Sequence, residues 1–168
     1  MKHVRGWFWG TAAAVAVADL ITKHVVFLHL PAKTSPAIKV ISGFFHIVHG
    51  ENRGGVFGVG QGAGALWLVF GSLAGVLVIW FAHRKDTQVL LLQIALGLVL
   101  GGAVGNLYDR ATFQFVRDFI QIYYWPGEDW PAFNVADSGI CVGAAGLAVY
   151  AFFFAPKDEK KNSPRKAH

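Results

Sequence analysis

The sequence predicts an all-α membrane protein, four transmembrane helices with a small platform of short strands outside the bilayer. Three observations lead there. Hydrophobic residues make up 54% of the 168 and charged residues only 15%, against roughly 25% in an ordinary soluble domain. Apolar runs recur at the length a bilayer span needs, about 20 residues. Basic residues gather at the ends of those runs, so the net charge of +5 suits an anionic membrane leaflet better than nucleic acid.

The first span is expected over residues 6–28, with Trp7 and Trp9 as interfacial anchors. Asp19 and Lys23 interrupt it, but their i,i+4 spacing puts them on one helix face, where they neutralise each other. Lys2 and Arg5 ahead of "GTAAAVAVA" also resemble a secretory signal with an Ala-x-Ala cleavage site. Apolar residues continue past Asp19 as "LI" and "VVFLHL", which favours one retained helix.

The connection 29–62 contains "AIKVISGFFHIVH", rich in β-formers and loosely alternating, and so fit for short strands. The second span, 63–82, lies in a stretch without a charged residue between Arg53 and His83. After the short "HRKDT" link comes the third span, 87–107. In the connection 108–135, "ATFQFVRDFIQIYYW" favours strand before "PGEDWP" turns the chain. The fourth span is 136–156, completing one domain, and 157–168 reads as a disordered basic tail against anionic lipid.

Lys2, Arg5, Arg84, Lys85 and the basic residues from Lys157 onward fall on one side of these spans. The remaining Lys and Arg are diluted among acids in the two long connections, so both termini are expected to be cytoplasmic and the connections to face outward. Gly97, Gly101 and Gly105, with the pairs Gly71–Gly75 and Gly139–Gly143, repeat at i,i+4 and predict close helix packing. A nucleotide loop at "GGAVGN" lacks the Lys-Ser/Thr that would follow it.

The chemistry-bearing residues collect at the outward ends. Asn134-x-x-Asp137 has capping-box spacing at the start of a helix. Asp109 ends a helix, where the dipole disfavours an acid, and its plain partner is the adjacent Arg110. Asp118, in "FVRDFI", is set among apolar residues on the strand face opposite Arg117, so it needs a polar pocket at the bundle mouth. A hairpin-like excursion can return Asp137 to Asp118. Two carboxylates held together cannot both ionise easily, and such a pair can act as general base and general acid on a water. Spacing leaves this catalytic reading and the capping reading both open. Cys141, with no partner histidine, reads as a packed thiol. His46 and His49 would point to opposite strand faces, against a metal pair, and no Gly-x-Ser-x-Gly turn occurs.

The ordered motifs "DLITK" (19–23), "NRGGVF" (52–57), "GGAVGNLYDR" (101–110), "VRDFI" (116–120) and "PAFNVADS" (131–138) resemble the lipoprotein signal peptidases, or signal peptidase II, an intramembrane aspartyl protease family. The resemblance covers most of the chain. It implies four membrane helices and an extracytoplasmic platform that adds a short interfacial helix to the strands. It implies that Asp118 and Asp137 are the catalytic dyad, with no metal or cofactor. Asn52, Gly54, Asn106, Arg110 and Asn134 are implied at the substrate site, with Asp19, Lys23 and Asp109 supporting it. The implied substrate is the signal peptide of a diacylglyceryl-modified prolipoprotein, cut before its lipidated cysteine at the outer face of a bacterial cytoplasmic (inner) membrane. Membrane lipids are the other implied contact, nucleic acid is not, and a monomer carries the complete dyad. Leu20 stands where the family commonly has Gln, and Gly55 and Val56 where Ala pairs are frequent; neither touches the chemistry. The competing class is a small transporter or proton relay using membrane-edge acids, which would want acids spread through the depth of the spans.

Overall fold

Helix α1 (Lys2–His29), α2 (Gly64–Ala82), α3 (Leu90–Phe113) and α4 (Val135–Phe153) are each long and apolar enough to cross a membrane. They belong to a computed structural model that describes residues 2–55, 60, 62–125 and 128–154. Between the helices run β1 (Ile38–Ile41), β2 (Phe45–Asn52), β3 (Val116–Trp125) and the two-residue β4 (Glu128–Asp129), antiparallel and in the order β1-β2-β3-β4. The expected strand platform is therefore present. No short helix stands beside it among the described residues of the two long connections; 56–59, 61, 126 and 127 lie outside them, as does the basic tail.

α3 is the middle of the bundle, packing on α1, α4 and α2, and it is the most buried of the four helices. The i,i+4 glycines explain how. A Cβ on Gly97 or Gly101 would strike the backbone of α1 at Phe8 and Ala12, and one on Gly102 would strike Ala136 of α4. In lipid, where no solvent drives helices together, such backbone approach supplies the packing. Gly143 meets Ala95 and Val99 in the same way. Cys141, midway between Gly139 and Gly143, consequently lies on the far face of α4 and is exposed, not packed as expected. α2 is apolar around its whole circumference and buries only Gly75 and Ala82, so Leu66, Val69, Phe70, Leu73 and Val76 face the bilayer.

The end opposite the sheet is tied by polar side chains. Arg5 donates to the His83 carbonyl and to Gln88, and buried Gln93 donates to the carbonyls of Ala82 and Thr87. This link brings the start of α1 and the short α2–α3 connection to one end.

The third helix departs from expectation. It continues six residues past 107 to Phe113, so the stretch Ala111–Phe113 is helix and not strand. Asp109 and Arg110 in this last turn and a half find partners inside the protein, and the helix stops where Gln114 takes φ 66° and donates its N–H to the Arg110 carbonyl.

Candidate active site

β3 and the start of α4 are sewn together by backbone. Phe119 and Ile120 donate to the Phe133 carbonyl at 3.0 and 2.8 Å, and Phe133 donates back to Ile120 at 3.0 Å. Buried Val116 and Phe119 anchor the strand beneath. The consequence is that Asn134, the residue after Phe133, arrives beside Asp118.

Asn134 is the N-cap of α4 and is fully buried. Its Oδ1 accepts from the Asp137 N–H at 2.9 Å while the Asp137 carboxylate accepts from the Asn134 N–H at 3.2 Å, a capping box as the spacing indicated. Because Oδ1 is committed to the cap, Nδ2 turns the other way and donates to Asp118 at 2.7 Å. It also reaches Asn106 Oδ1 at 3.2 Å. One side chain thus holds both acids.

On the α3 side, Asn106 Nδ2 donates to Asp137 at 2.8 Å, and Lys23 donates to Asn106 Oδ1 at 2.9 Å. Lys23 also meets Asp19 at 2.6 Å and Asp109 at 3.2 Å, all three with buried side chains. Asp19 further accepts from the Ala136 N–H at 2.9 Å, joining α1 to the start of α4. The pair expected between Asp109 and Arg110 does not form. Asp109 is gripped by Arg117 instead, through the backbone N–H at 2.9 Å and the guanidinium at 2.7 and 3.0 Å. Adjacent helical residues point about 100° apart, so the neighbour in sequence was the wrong geometric partner. Two cations, Lys23 and Arg117, outweigh the dipole penalty of an acid near the end of α3.

Arg110 is freed to donate to the Gly54 carbonyl at 2.9 Å. Gly54 N–H in turn donates to Asn52 Oδ1 at 3.0 Å, and the Asn52 amide bonds Asp118. The "NRGG" turn is therefore braced from α3 and delivers an amide to the acid. Gly55 packs so tightly on the Trp67 ring that a Cβ there would collide with it, which accounts for glycine at this departure from the family pattern. Val56 and Phe57 lie outside the described residues.

Asp118 is 4% exposed. Burial pushes its carboxyl up to about 7; the nearby Asp137 charge pushes the same way, opposed by the amides of Asn134 and Asn52 and by Lys23. A carboxyl so placed retains a proton near neutrality, which is what a general acid requires.

Every residue singled out in the sequence for its chemistry therefore falls into one connected cluster at the sheet end of the bundle. The exceptions are Cys141 and the two histidines. His46 lies tilted against Tyr123 with ring centroids 4.7 Å apart, while His49 lies against Phe27 at 4.2 Å and bonds the Leu30 carbonyl, so the pair is divided between two neighbourhoods. Two residues were missed. Arg117 is the main partner of Asp109, and its cation also lies over the Phe113 ring at 4.5 Å. Gly50 pairs with Asp118 across β2–β3, and a Cβ there would lie 2.7 Å from the Asp118 carbonyl oxygen. Glycine inside a run of β-formers is a signal of close backbone approach, and it was available.

The model of the family described as signal peptidase (SPase) II matches residues 11–153. A lipoprotein signal peptidase of Teredinibacter turnerae is 40% identical over 162 residues, covering 91% of this chain and 90% of that protein. Another, of Nitratidesulfovibrio vulgaris, is 39% identical over 157 residues, covering 91% of this chain and 93% of that protein. A solved structure of a bacterial membrane enzyme aligns with a TM-score of 0.79 at 25% identity, covering 97% of this chain and 95% of that one.

Proposed function

The chain belongs to the signal peptidase II family, and from that premise we propose that it is an aspartic membrane endopeptidase. It removes signal peptides from diacylglyceryl-modified prolipoproteins by cutting before the lipidated cysteine. The observation that carries this reading is Asn134, whose one side chain binds Asp118 and caps the helix that presents Asp137.

Amide hydrolysis needs a base for the water and an acid for the substrate, and a carboxylate pair sharing one proton supplies both. One carboxylate takes a proton from water as the oxygen bonds to the scissile carbonyl carbon. The protonated partner gives its proton to the carbonyl oxygen, forming a gem-diol. In the second half the proton taken from water passes to the amide nitrogen, the C–N bond breaks, and the partner recovers a proton from the gem-diol. The starting state returns with no metal or cofactor. Arg110 and Asn52, braced through Gly54, offer donors to the extended peptide. The lipid tails remain in the bilayer beside the apolar faces of the helices.

Both termini are placed on the cytoplasmic side of a bacterial inner membrane and the sheet end on the outer side. Support comes from Arg5, Arg84 and Lys85, which lie at the end away from the sheet. A relay or transporter reading fares worse, because α2 carries no charged residue and the charges of α3 and α4 lie near the sheet end. The substrate assignment is tested by mass spectrometry of the products from a diacylglyceryl-modified prolipoprotein. The expected fragment begins at the lipidated cysteine; cleavage elsewhere, or equal cleavage of the unlipidated precursor, rejects it.

A further inference from the structure

We propose that Lys23 fixes the orientation of the Asn106 amide, and thereby makes Asp137 the ionised base of the pair and leaves the shared proton on Asp118. This rests on the dyad reading above and assigns the two roles within it.

A lysine ammonium has three donors and no acceptor. The atom of Asn106 that faces Lys23 Nζ at 2.9 Å must therefore be Oδ1. Asn134 Nδ2 also presents a donor to that oxygen, at 3.2 Å. With Oδ1 so held, Nδ2 has one direction left, toward Asp137 Oδ1 at 2.8 Å. Reversing the amide would turn its NH2 on two donors and its carbonyl on a carboxylate, leaving buried polar groups without partners. The charge on Lys23 is thus delivered to Asp137 as an N–H.

Asp137 has three further reasons to be the anion. Its other oxygen accepts the Asn134 N–H, and it stands in the first turn of α4, where the helix dipole favours negative charge. It is also only half-buried. Asp118 accepts amides from Asn134 and Asn52, but it lies on a strand and is almost fully buried. The charged groups around Asp137 do not overturn this order. From β3 it faces Asp118, and from α3 Arg110, which is in electrostatic reach of both acids. From α1 come Lys23 and Asp19, the latter on the Ala136 N–H, and Asp109 with Arg117 completes a cluster of two acids and two bases.

Lys23 is on this account a positioning residue, and its effect is legible in a pH profile. The measurement is kcat/KM against pH for a diacylglyceryl-modified lipobox peptide in detergent micelles. The variant Asp19→Asn with Lys23→Met removes one acid and one base together, so the cluster stays neutral. The acidic limb, where the base gains its proton, should move up by about one unit, a roughly tenfold loss below it. Asn106→Leu should move the limb equally, and the three changes together should move it no further. Lys23→Gln with Asp19→Asn, which restores an N–H toward Asn106, should bring the limb back toward wild type. A limb that stays put while activity falls equally at every pH overturns the proposal. If the Lys23 variants do not accumulate, an unmoved limb in Asn106→Leu alone overturns it. Full turnover in Asp118→Asn or Asp137→Asn would instead reject the dyad itself, so the two failures are distinguishable.

Discussion

Asn134 Nδ2 lies 2.7 Å from Asp118 Oδ1, across an interval of 16 residues, while the same side chain caps the helix of Asp137. Structure and chemistry are therefore coupled at Asn134 but separable. Asn134→Ser keeps an oxygen for the cap, so the thermal unfolding midpoint should correspond to a loss of no more than about 1 kcal/mol. The donor to Asp118 disappears, and kcat should fall by at least about tenfold. Near wild-type kcat in Asn134→Ser, with turnover lost only in an Ala variant, would mean that the cap is all Asn134 provides.

Asp118 makes stability depend on pH. Its folded-state pKa of about 7 lies above the ordinary carboxyl value of 3.8, so between those values the folded protein holds more protons than the unfolded chain. Stability must then fall as pH rises through that window, with the full cost present above pH 7. Asp118→Asn removes the cost. Unfolding midpoints of the detergent-purified variant should exceed wild type at pH 8 and converge with it near pH 4. A constant difference across that range contradicts the burial argument.

Gly50→Ala would place a Cβ 2.7 Å from the Asp118 carbonyl oxygen, a backbone contact that only a shift of β2 and β3 relative to each other can relieve. Turnover should drop more than tenfold although residue 50 bears no functional group. Near wild-type kcat in this variant would show that the strand position is not critical.

Arg117→Leu leaves Asp109 buried with Lys23 as its remaining ion-pair partner among the described residues. Removing one partner of a buried pair costs about 3–5 kcal/mol, so the unfolding midpoint should fall steeply. An unchanged midpoint would assign the stability to Lys23 alone.

Much of this architecture is legible in the sequence because bilayer physics is a strong constraint. Span length located the helices, and i,i+4 glycines located the close contacts of α3 with α1 and α4. Local spacing also sufficed for Asp19–Lys23 and for the Asn134–Asp137 box. What spacing could not supply is pairing between elements distant in the chain. Lys23 to Asn106 spans 83 residues, and nothing local distinguishes it from other possible partners. Asp109 shows the same limit in reverse, since the nearest cation in sequence was not the one across the fold. The end of α3 was misplaced because its polar last turn looks like a loop until internal partners are known. The proximity of Asp118 and Asp137 depended on β3 being laced to Phe133, a backbone pairing that the motifs of the family implied and the spacing alone left open.

The central claim, that Asp118 and Asp137 together perform the hydrolysis, is tested most directly by single Asp118→Asn and Asp137→Asn variants. Processing of a diacylglyceryl-modified prolipoprotein is followed at matched amounts of folded protein. Both variants should bind the substrate and fail to cleave it, with kcat reduced by at least about 1,000-fold. Turnover at the wild-type rate in either variant contradicts the account.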